Sequence, residues 1–439
     1  RGSAPAQINV PRDYWTQVID IELPTIIRME RNSGGAQAVK SAAELLSSAK
    51  FPVILSGAGV ILADAIDDCK ALAEKLDAPV ACGYQHNDSF PGSHPLAIGP
   101  LGYNGSKAAM EIISKADVVL ALGTRLNPFS TLPGYGIDYW PKQASIIQVD
   151  INSDRIGLAK KVTVGICGDA KLVAQQILEQ LSSSAGDDGR EERRALIHQT
   201  KSAWLQTLTS LNHEEDDPGT TWNKDSRERD PERMSPRVAW RAIQAGIPQD
   251  AIISSDIGNN CAIGNAYPTF EKGRKYLAPG LFGPCGYGFP SILGAKIGCP
   301  NTPVIGFAGD GAFGISMSEM TSCNRKEWPN ITMVIFRNYQ WGAEKRNSIL
   351  WYDNNFVGTE LDPDLSYAKI AEACGSKGVE VKTPSELTEA IKTSCVEQQK
   401  GITTFIEVIL NQELGEPFRR DAMKKPVHVA GINSADMQN

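Results

Sequence analysis

An aspartate between two glycines, placed directly after an apolar run, is where side-chain type and spacing in this sequence first point to chemistry. In "VIGFAGDGAF" (304–313), Val304, Ile305, Gly306, Phe307 and Ala308 read as a buried strand that Gly309-Asp310-Gly311 ends abruptly. A second apolar run, Ile331–Phe336, ends in Arg337-Asn338-Tyr339-Gln340, so Asn338 follows Asp310 by 28 residues. Ligands of open parallel sheets sit beyond the carboxyl ends of the strands. If these two strands are neighbours, a carboxylate and an amide oxygen point into one crevice. Two such groups are too few to hold a divalent ion alone, but they suit Mg²⁺, whose octahedral oxygen shell is usually completed by ligand phosphates. The glycines then let the backbone approach a diphosphate, and Gly311 opens a helix whose free N–H groups favour anions. An ordinary strand-to-helix turn would use the same three residues. The asparagine at this distance favours the metal.

The elements that must position these residues follow an α/β rhythm. Helices are expected at Ala36–Ser48, near Asp64–Leu76 and near Ser106–Ser114, alternating with strands at Phe51–Leu55, Ala78–Cys82, Asp117–Leu122 and Ala144–Val149. After Ser235 the rhythm resumes: helix Pro236–Ala245, strand Ala251–Ser255, a glycine-rich region at 280–298, strand Val304–Ala308, helix Ile315–Asn324 and strand Thr332–Phe336. The fold class is therefore α/β, with two parallel-sheet domains, each of three layers. Residues 24–182 form a central domain and 236–439 a second domain with a C-terminal tail. Between them, 183–235 is dense in charge, Gly and Pro and reads as a solvated connector around one helix near Arg193–Leu211. The opening "AQINVPRDYW" reads as a last strand, making residues 1–23 the end of an earlier domain and its connector; a free edge strand is the alternative.

Bulk properties narrow the function. With 439 residues, 41% of them hydrophobic, the chain can bury two or three cores. A net charge of −7 argues against nucleic acid or an acidic membrane as partner. No apolar stretch approaches the roughly 20 residues that cross a bilayer. The nine cysteines stand singly with no C-x-x-C pair, as expected of reduced thiols in a cytoplasmic protein, and neither a disulfide framework nor a zinc site is indicated.

The G-D-G and its asparagine match the thiamin diphosphate motif, in which a pair of asparagines ends the pattern. Arg337 here replaces the first of the pair and Asn338 keeps the second. The chain thus resembles the thiamin diphosphate enzymes of the acetolactate synthase and pyruvate oxidase group over nearly its whole length. "KFPVILSGAGVILADA" and "ADVVLALGTRLN" are similar to their central domain, and "LFGPCGYGFPSILGAKIG" with "GFAGDGAFGISMSEMTS" to their diphosphate-binding domain. Within the group, "APGLFGPCGYGFP", "FRNYQWGAEKRNSILWYDNNFVGTELD" and "GEPFRRDAMKKP" most resemble the sulfoacetaldehyde acetyltransferases. That branch converts sulfoacetaldehyde and phosphate to sulfite and acetyl phosphate.

Carried over by position, the resemblance implies that Asp310, Asn338 and the backbone carbonyl of Gln340 bind Mg²⁺. Gly309, Gly311 and Ala312, with Gly258, Asn259 and Asn260, would face the diphosphate. The Gly283 carbonyl would accept from the cofactor's 4′-amino group. Cys285 stands where relatives carry a bulkier Met, Leu or Ile that wedges the cofactor into its bent shape; a small apolar wedge is the expected role, and a reactive thiol the alternative. Loss of sulfite does the redox work internally, so FAD is not required. The turns Ser56-Gly57-Ala58-Gly59 and Gly123-Thr124-Arg125 are read as strand-end turns, with nucleotide contact as the alternative. Sulfonate and phosphate call for arginine forks, and the candidates are Arg337, Arg346, Arg419 and Arg420, with Lys345 as a weaker option. On the helix expected to begin at 343–347, Ala343, Glu344 and Asn347 share a face toward the reactive carbon, turning Lys345 and Arg346 away.

The group starts its chemistry with a glutamate on an N-terminal pyrimidine-binding domain. This chain is expected to begin where that domain ends, to offer no catalytic glutamate of its own, and to turn over poorly by itself. Its site should lie between subunits of a homodimer or homotetramer. Three readings stay open beside acetyl transfer: acetolactate synthesis or pyruvate oxidation on the same scaffold, a nicotinamide dehydrogenase, and a non-catalytic subunit. The dehydrogenase is disfavoured because no strand is followed by G-x-G-x-x-G with an acidic residue about 20 positions on.

Overall fold

The computed structural model describes residues 7–27, 30–210, 221–280, 282–325 and 327–414. Two six-stranded, wholly parallel sheets organise it. The first contains β1 (Pro52–Ser56), β2 (Val80–Cys82), β3 (Ala97–Pro100), β4 (Val118–Leu122), β5 (Ser145–Asp150) and β6 (Val164–Cys167), in the order β3-β2-β1-β4-β5-β6. The second contains β7 (Ile252–Ser255), β8 (Tyr276–Leu277), β9 (Val304–Gly309), β10 (Thr332–Arg337), β11 (Lys377–Val381) and β12 (Thr404–Ile409), in the order β11-β12-β10-β9-β7-β8. Central strands such as β1, β4, β10 and β12 are buried along their whole length, because helices cover both sheet faces. The first order reverses direction between β1 and β4 and the second between β7 and β9, which is where such sheets open a crevice. No helix among the described residues is long and apolar enough to cross a membrane.

At the first reversal the glycines serve close backbone approach. Gly57 N–H donates to the Leu122 carbonyl (3.1 Å) and Gly59 N–H to that of Gly123 (2.8 Å). Gly123 has φ +61°, and a Cβ there would stand 2.7 Å from the Val60 nitrogen. Gly123→Ala is expected to destabilise the protein by roughly 2–4 kcal/mol through left-handed strain and overlap, seen as a lower urea midpoint. An unchanged midpoint would mean that the two strand tips are free to separate.

Several segments differ from the sequence reading. Residues 7–11 pair with no strand among the described residues, and Arg12–Thr16 form a 3-10 helix behind Pro11, which supplies no N–H to a ladder. The helix expected at Ile315–Asn324 begins earlier: Asp310–Ser316 is α-helical and Met317–Thr321 a 3-10 turn. The charged stretch 183–235 is more than a solvated connector. Its helix Arg190–Ser210 buries Arg193, which donates to the carbonyls of Lys50 (2.8 Å), Gly186 (2.6 Å) and Asp77 (3.2 Å). A second helix, Thr221–Arg229, places buried Asn223 and Ser226 against the backbone of Leu414 and Gln412. Charge density alone does not reveal a guanidinium sealed under carbonyl oxygens.

The two sheets are tied together by polar contacts. Asn87 donates through Nδ2 to the carbonyls of Asn265 (2.8 Å) and Pro268 (2.9 Å). Asp88 Oδ2 accepts from the backbone N–H groups of Lys275 (2.9 Å) and Tyr276 (3.1 Å), capping the short edge strand β8.

Candidate functional site

The crevice at the second reversal is built from three strand ends. Ile257–Asn260 follow β7, Gly309–Ala312 end and follow β9, and Asn338 with Gln340–Glu344 follow β10; together with Cys285 they line one cleft. β9 and β10 are neighbours, with Gly309 opposite Phe336. Asp310 joins their tips directly. Its buried Oδ2 accepts from the backbone N–H of Asn338 (3.0 Å) and of Tyr339 (2.7 Å), and its Oδ1 from Gly311 N–H (3.0 Å). Burial pushes the Asp310 carboxyl up to about 7, although the three N–H donors and Arg337 pull the other way.

The loop after β10 is held in an uncommon backbone shape. Tyr339 has φ +60° and its ring lies between the guanidinium groups of Arg233 (4.5 Å to the centroid) and Arg337 (4.8 Å). Trp341 N–H donates to the Thr359 carbonyl and Leu361 N–H to that of Tyr339, both at 2.8 Å, which pins the loop on each side of Gln340. Gln340 donates through Nε2 to the Gln412 carbonyl (3.1 Å), while its buried Oε1 meets no donor among the described residues. Asn260 Oδ1 is buried and without a donor in the same way.

The two glycines flanking Asp310 do different work. A Cβ on Gly311 would fall 2.9 Å from the indole of Trp341, so this glycine is required by packing. At Gly309 and at Gly258, both in the cleft lining, a Cβ would meet nothing within 4 Å. Its walls thus combine a carboxylate, amide oxygens lacking donors, and backbone stripped of side chains. That set fits a hard, oxygen-seeking cation and a phosphate ester. No group of three or more His, Cys, Asp or Glu side chains that could hold a metal occurs among the described residues.

The remaining sequence candidates divide. Cys285 lines the cleft half-buried, and burial, with Asp256 and Glu344 nearby, pushes its thiol up, which keeps it protonated and apolar. Gly283 lies outside the lining, in the preceding loop, at φ +61°. Ala343 and Glu344 line the cleft; Asn347 is exposed and does not. Lys345 and Arg346 do face away from the cleft's solvent side, but into the protein: Lys345 pairs with Glu360, and Arg346 donates to the Tyr103 hydroxyl. Arg337 is not placed as an anion ligand. It is buried in an ion pair with Glu407 (2.9 Å) and also donates to the Pro363 carbonyl. Arg419 and Arg420 lie outside the described residues. Asn259 spends its side chain on protein, with Nδ2 donating to the carbonyls of Leu414 (3.0 Å) and Gly342 (3.2 Å) and Oδ1 accepting from Tyr103 (3.1 Å).

Sequence reading missed Asp256. This buried carboxylate at the end of β7 accepts from Ile257 N–H (2.7 Å), Gly286 N–H (3.0 Å) and Gly288 N–H (2.6 Å), and so ties the Cys285 loop to the strand tip. The signal was present, since "SSDIG" also places an acid after an apolar strand. Tyr103 and Tyr367, whose hydroxyl donates to the Asp310 carbonyl (3.2 Å), carried no local signal.

The chain is similar to known proteins over both of its sheet-bearing parts. Residues 39–177 match a family model described as thiamine pyrophosphate enzyme, central domain, and residues 256–408 one described as thiamine pyrophosphate enzyme, C-terminal TPP binding domain. The chain is 76% identical over 438 residues to a probable sulfoacetaldehyde acetyltransferase of Rhizobium meliloti (strain 1021), covering 100% of this chain and 74% of that protein. It is 72% identical over 438 residues to a sulfoacetaldehyde acetyltransferase of Roseovarius nubinhibens (strain ATCC BAA-591 / DSM 15170 / ISM), covering 100% and 73%. A probable acetolactate synthase large subunit of Methanococcus aeolicus is 29% identical over 395 residues, covering 88% and 64%.

Proposed function

The chain belongs to the thiamine pyrophosphate enzymes and, within them, to the family of the sulfoacetaldehyde acetyltransferases; on that premise we propose that it converts sulfoacetaldehyde and phosphate to acetyl phosphate and sulfite. The observation that carries the cofactor site is the meeting of Asp310, Asn338 and Gln340 at the adjoining tips of β9 and β10, with one carboxylate bonded across both. In this reading Asp310, Asn338 and Gln340 hold Mg²⁺. Gly258, Asn260, Gly309, Gly311 and Ala312 face the diphosphate. When bound, thiamin diphosphate supplies the electron sink that lets a two-carbon unit pass from one partner to another.

The chain's own residues orient and exclude. Asp310 is fixed by three backbone N–H donors, so the cation is met by a preset carboxylate and little reorganisation is needed. Cys285, kept as a thiol, packs from the loop that Asp256 anchors and adds apolar bulk without charge. Ala343 and the exposed Glu344 line the cleft, where they would border a small substrate. Arg346 is the basic candidate whose partner, Tyr103, in turn touches a cleft residue, which supports it as the source of positive potential for phosphate or sulfonate. Arg337 is not carried forward in that role, because Glu407 occupies its guanidinium.

The overall exchange needs no oxidant: the aldehyde C–H gives up its proton, the electron pair left behind expels sulfite from the neighbouring carbon, that carbon takes a proton to become methyl, and phosphate oxygen bonds the former aldehyde carbon, now at the acyl level. The test is phosphate-dependent release of sulfite from sulfoacetaldehyde in the presence of thiamin diphosphate and Mg²⁺, with an equal amount of acetyl phosphate formed. Conversion of pyruvate to acetolactate with no sulfite from sulfoacetaldehyde would replace this assignment by the other reaction on the scaffold.

A further inference from the structure

One hydroxyl of the first sheet's unit reaches one wall of the cofactor cleft and the helix that carries the other. Tyr103 follows β3, and its position is over-determined. Its N–H donates to the Phe129 carbonyl (3.0 Å), its carbonyl accepts from Asn265 Nδ2 (3.2 Å), and its ring packs with Tyr84 (centroids 6.3 Å apart) and Phe129 (6.5 Å). From this fixed base the hydroxyl donates to Asn259 Oδ1 (3.1 Å) on the wall after β7 and accepts from the Arg346 guanidinium on the helix Gly342–Trp351, which follows β10. Asn259 continues the chain of bonds, with Nδ2 donating to the carbonyls of Gly342 and Leu414. The two walls are thereby fastened to each other and to a residue of the other sheet's unit.

We propose that Tyr103 is a positioning residue for the cofactor cleft: its hydroxyl sets the spacing between the walls at 257–260 and 342–344 by holding at once Asn259 and, on the helix that carries the second wall, Arg346. This rests on the cofactor reading above. Asn259, whose amide is already engaged on three sides, then acts as a clasp of the cleft and not as a diphosphate ligand. A hydroxyl held by one strong donor and given to one acceptor is a stiff link, because each partner orients the other's bond. Removing it leaves the Asn259 oxygen and an Arg346 N–H to seek new partners in a buried place, which loosens both walls together.

The variant Tyr103→Phe keeps the ring, and with it the packing on Tyr84 and Phe129, while deleting the hydroxyl. Two measurements test the proposal. In the protein without cofactor, amide hydrogen exchange of 257–262 and 342–347 should rise about tenfold in Tyr103→Phe, and stay within twofold in Tyr84→Phe, which alters the same aromatic cluster away from the clasp. In titrations with thiamin diphosphate and Mg²⁺, Tyr103→Phe should raise the cofactor Kd about tenfold in the parent and less than twofold in an Asn259→Ala background, since the hydroxyl acts through that residue. A merely structural tyrosine would lower the unfolding midpoint equally in both backgrounds and leave this non-additivity absent. Unchanged exchange in the two segments, or the same change in Kd in both backgrounds, would overturn the proposal. If the parent fails to bind thiamin diphosphate while the exchange difference is present, the clasp stands and the cofactor assignment falls.

Discussion

Asp310→Asn should weaken thiamin diphosphate binding on the order of 100-fold, about 2.7 kcal/mol, and abolish its dependence on Mg²⁺. The substitution keeps size and shape and removes the negative charge that a divalent cation requires. It also turns an NH₂ group toward backbone N–H donors that the carboxylate now satisfies at Gly311, Asn338 and Tyr339. Asp310→Glu separates these effects, because it retains the charge at a different reach; Mg²⁺ dependence should persist with weaker affinity. Titration of the protein with cofactor across a series of Mg²⁺ concentrations reads both quantities. Cofactor affinity and cation dependence unchanged in Asp310→Asn would remove this residue, and with it the site, from the cofactor assignment.

The second large effect concerns stability. Arg337→Met should destabilise the protein by roughly 3–5 kcal/mol, because Glu407 is fully buried and would lose its ion-pair partner. Glu407 Oε2 is held by Ser366 Oγ (2.8 Å) and Ala368 N–H (3.0 Å), whereas Oε1 faces the guanidinium and would be left buried without it. The double variant Arg337→Met with Glu407→Leu should recover most of the loss, since two apolar side chains of similar bulk leave no charge stranded. Urea midpoints of the two variants give the comparison. An anion-binding arginine would behave differently, with the midpoint held and the KM for phosphate or sulfoacetaldehyde raised in Arg337→Met. That pattern would return Arg337 to the list of substrate ligands.

How much of this was legible depended on the range of the interaction that decides each feature. The strands were readable because burial on both faces of a parallel sheet demands unbroken apolar runs, and β1, β4, β9 and β10 all show them. Gly309-Asp310-Gly311 and Asn338 were readable because a strand tip exposes its chemistry within three or four residues. What was not legible rests on distant partners. Arg337 looked like a phosphate fork in sequence, but its partner is on β12, far along the chain and adjacent only through the order β12-β10. In the helix Gly342–Trp351, the burial of Lys345 and Arg346 rests on Glu360 and Tyr103, neither of which is local to it.

By itself the sequence determined the class of fold, the α/β rhythm, the acid and amide that end two strands, and the family that carries them, because each of these is written in spacing over a few residues or in a long match. Tertiary structure alone decided that β9 and β10 lie side by side so that one carboxylate bonds across both tips, that Gly311 is demanded by an indole, and that Asn259 is clasped by a tyrosine from the other sheet's unit. Those outcomes turn on which distant groups meet in a buried place, where a hydrogen bond or charge must find its partner, and no local pattern records that choice.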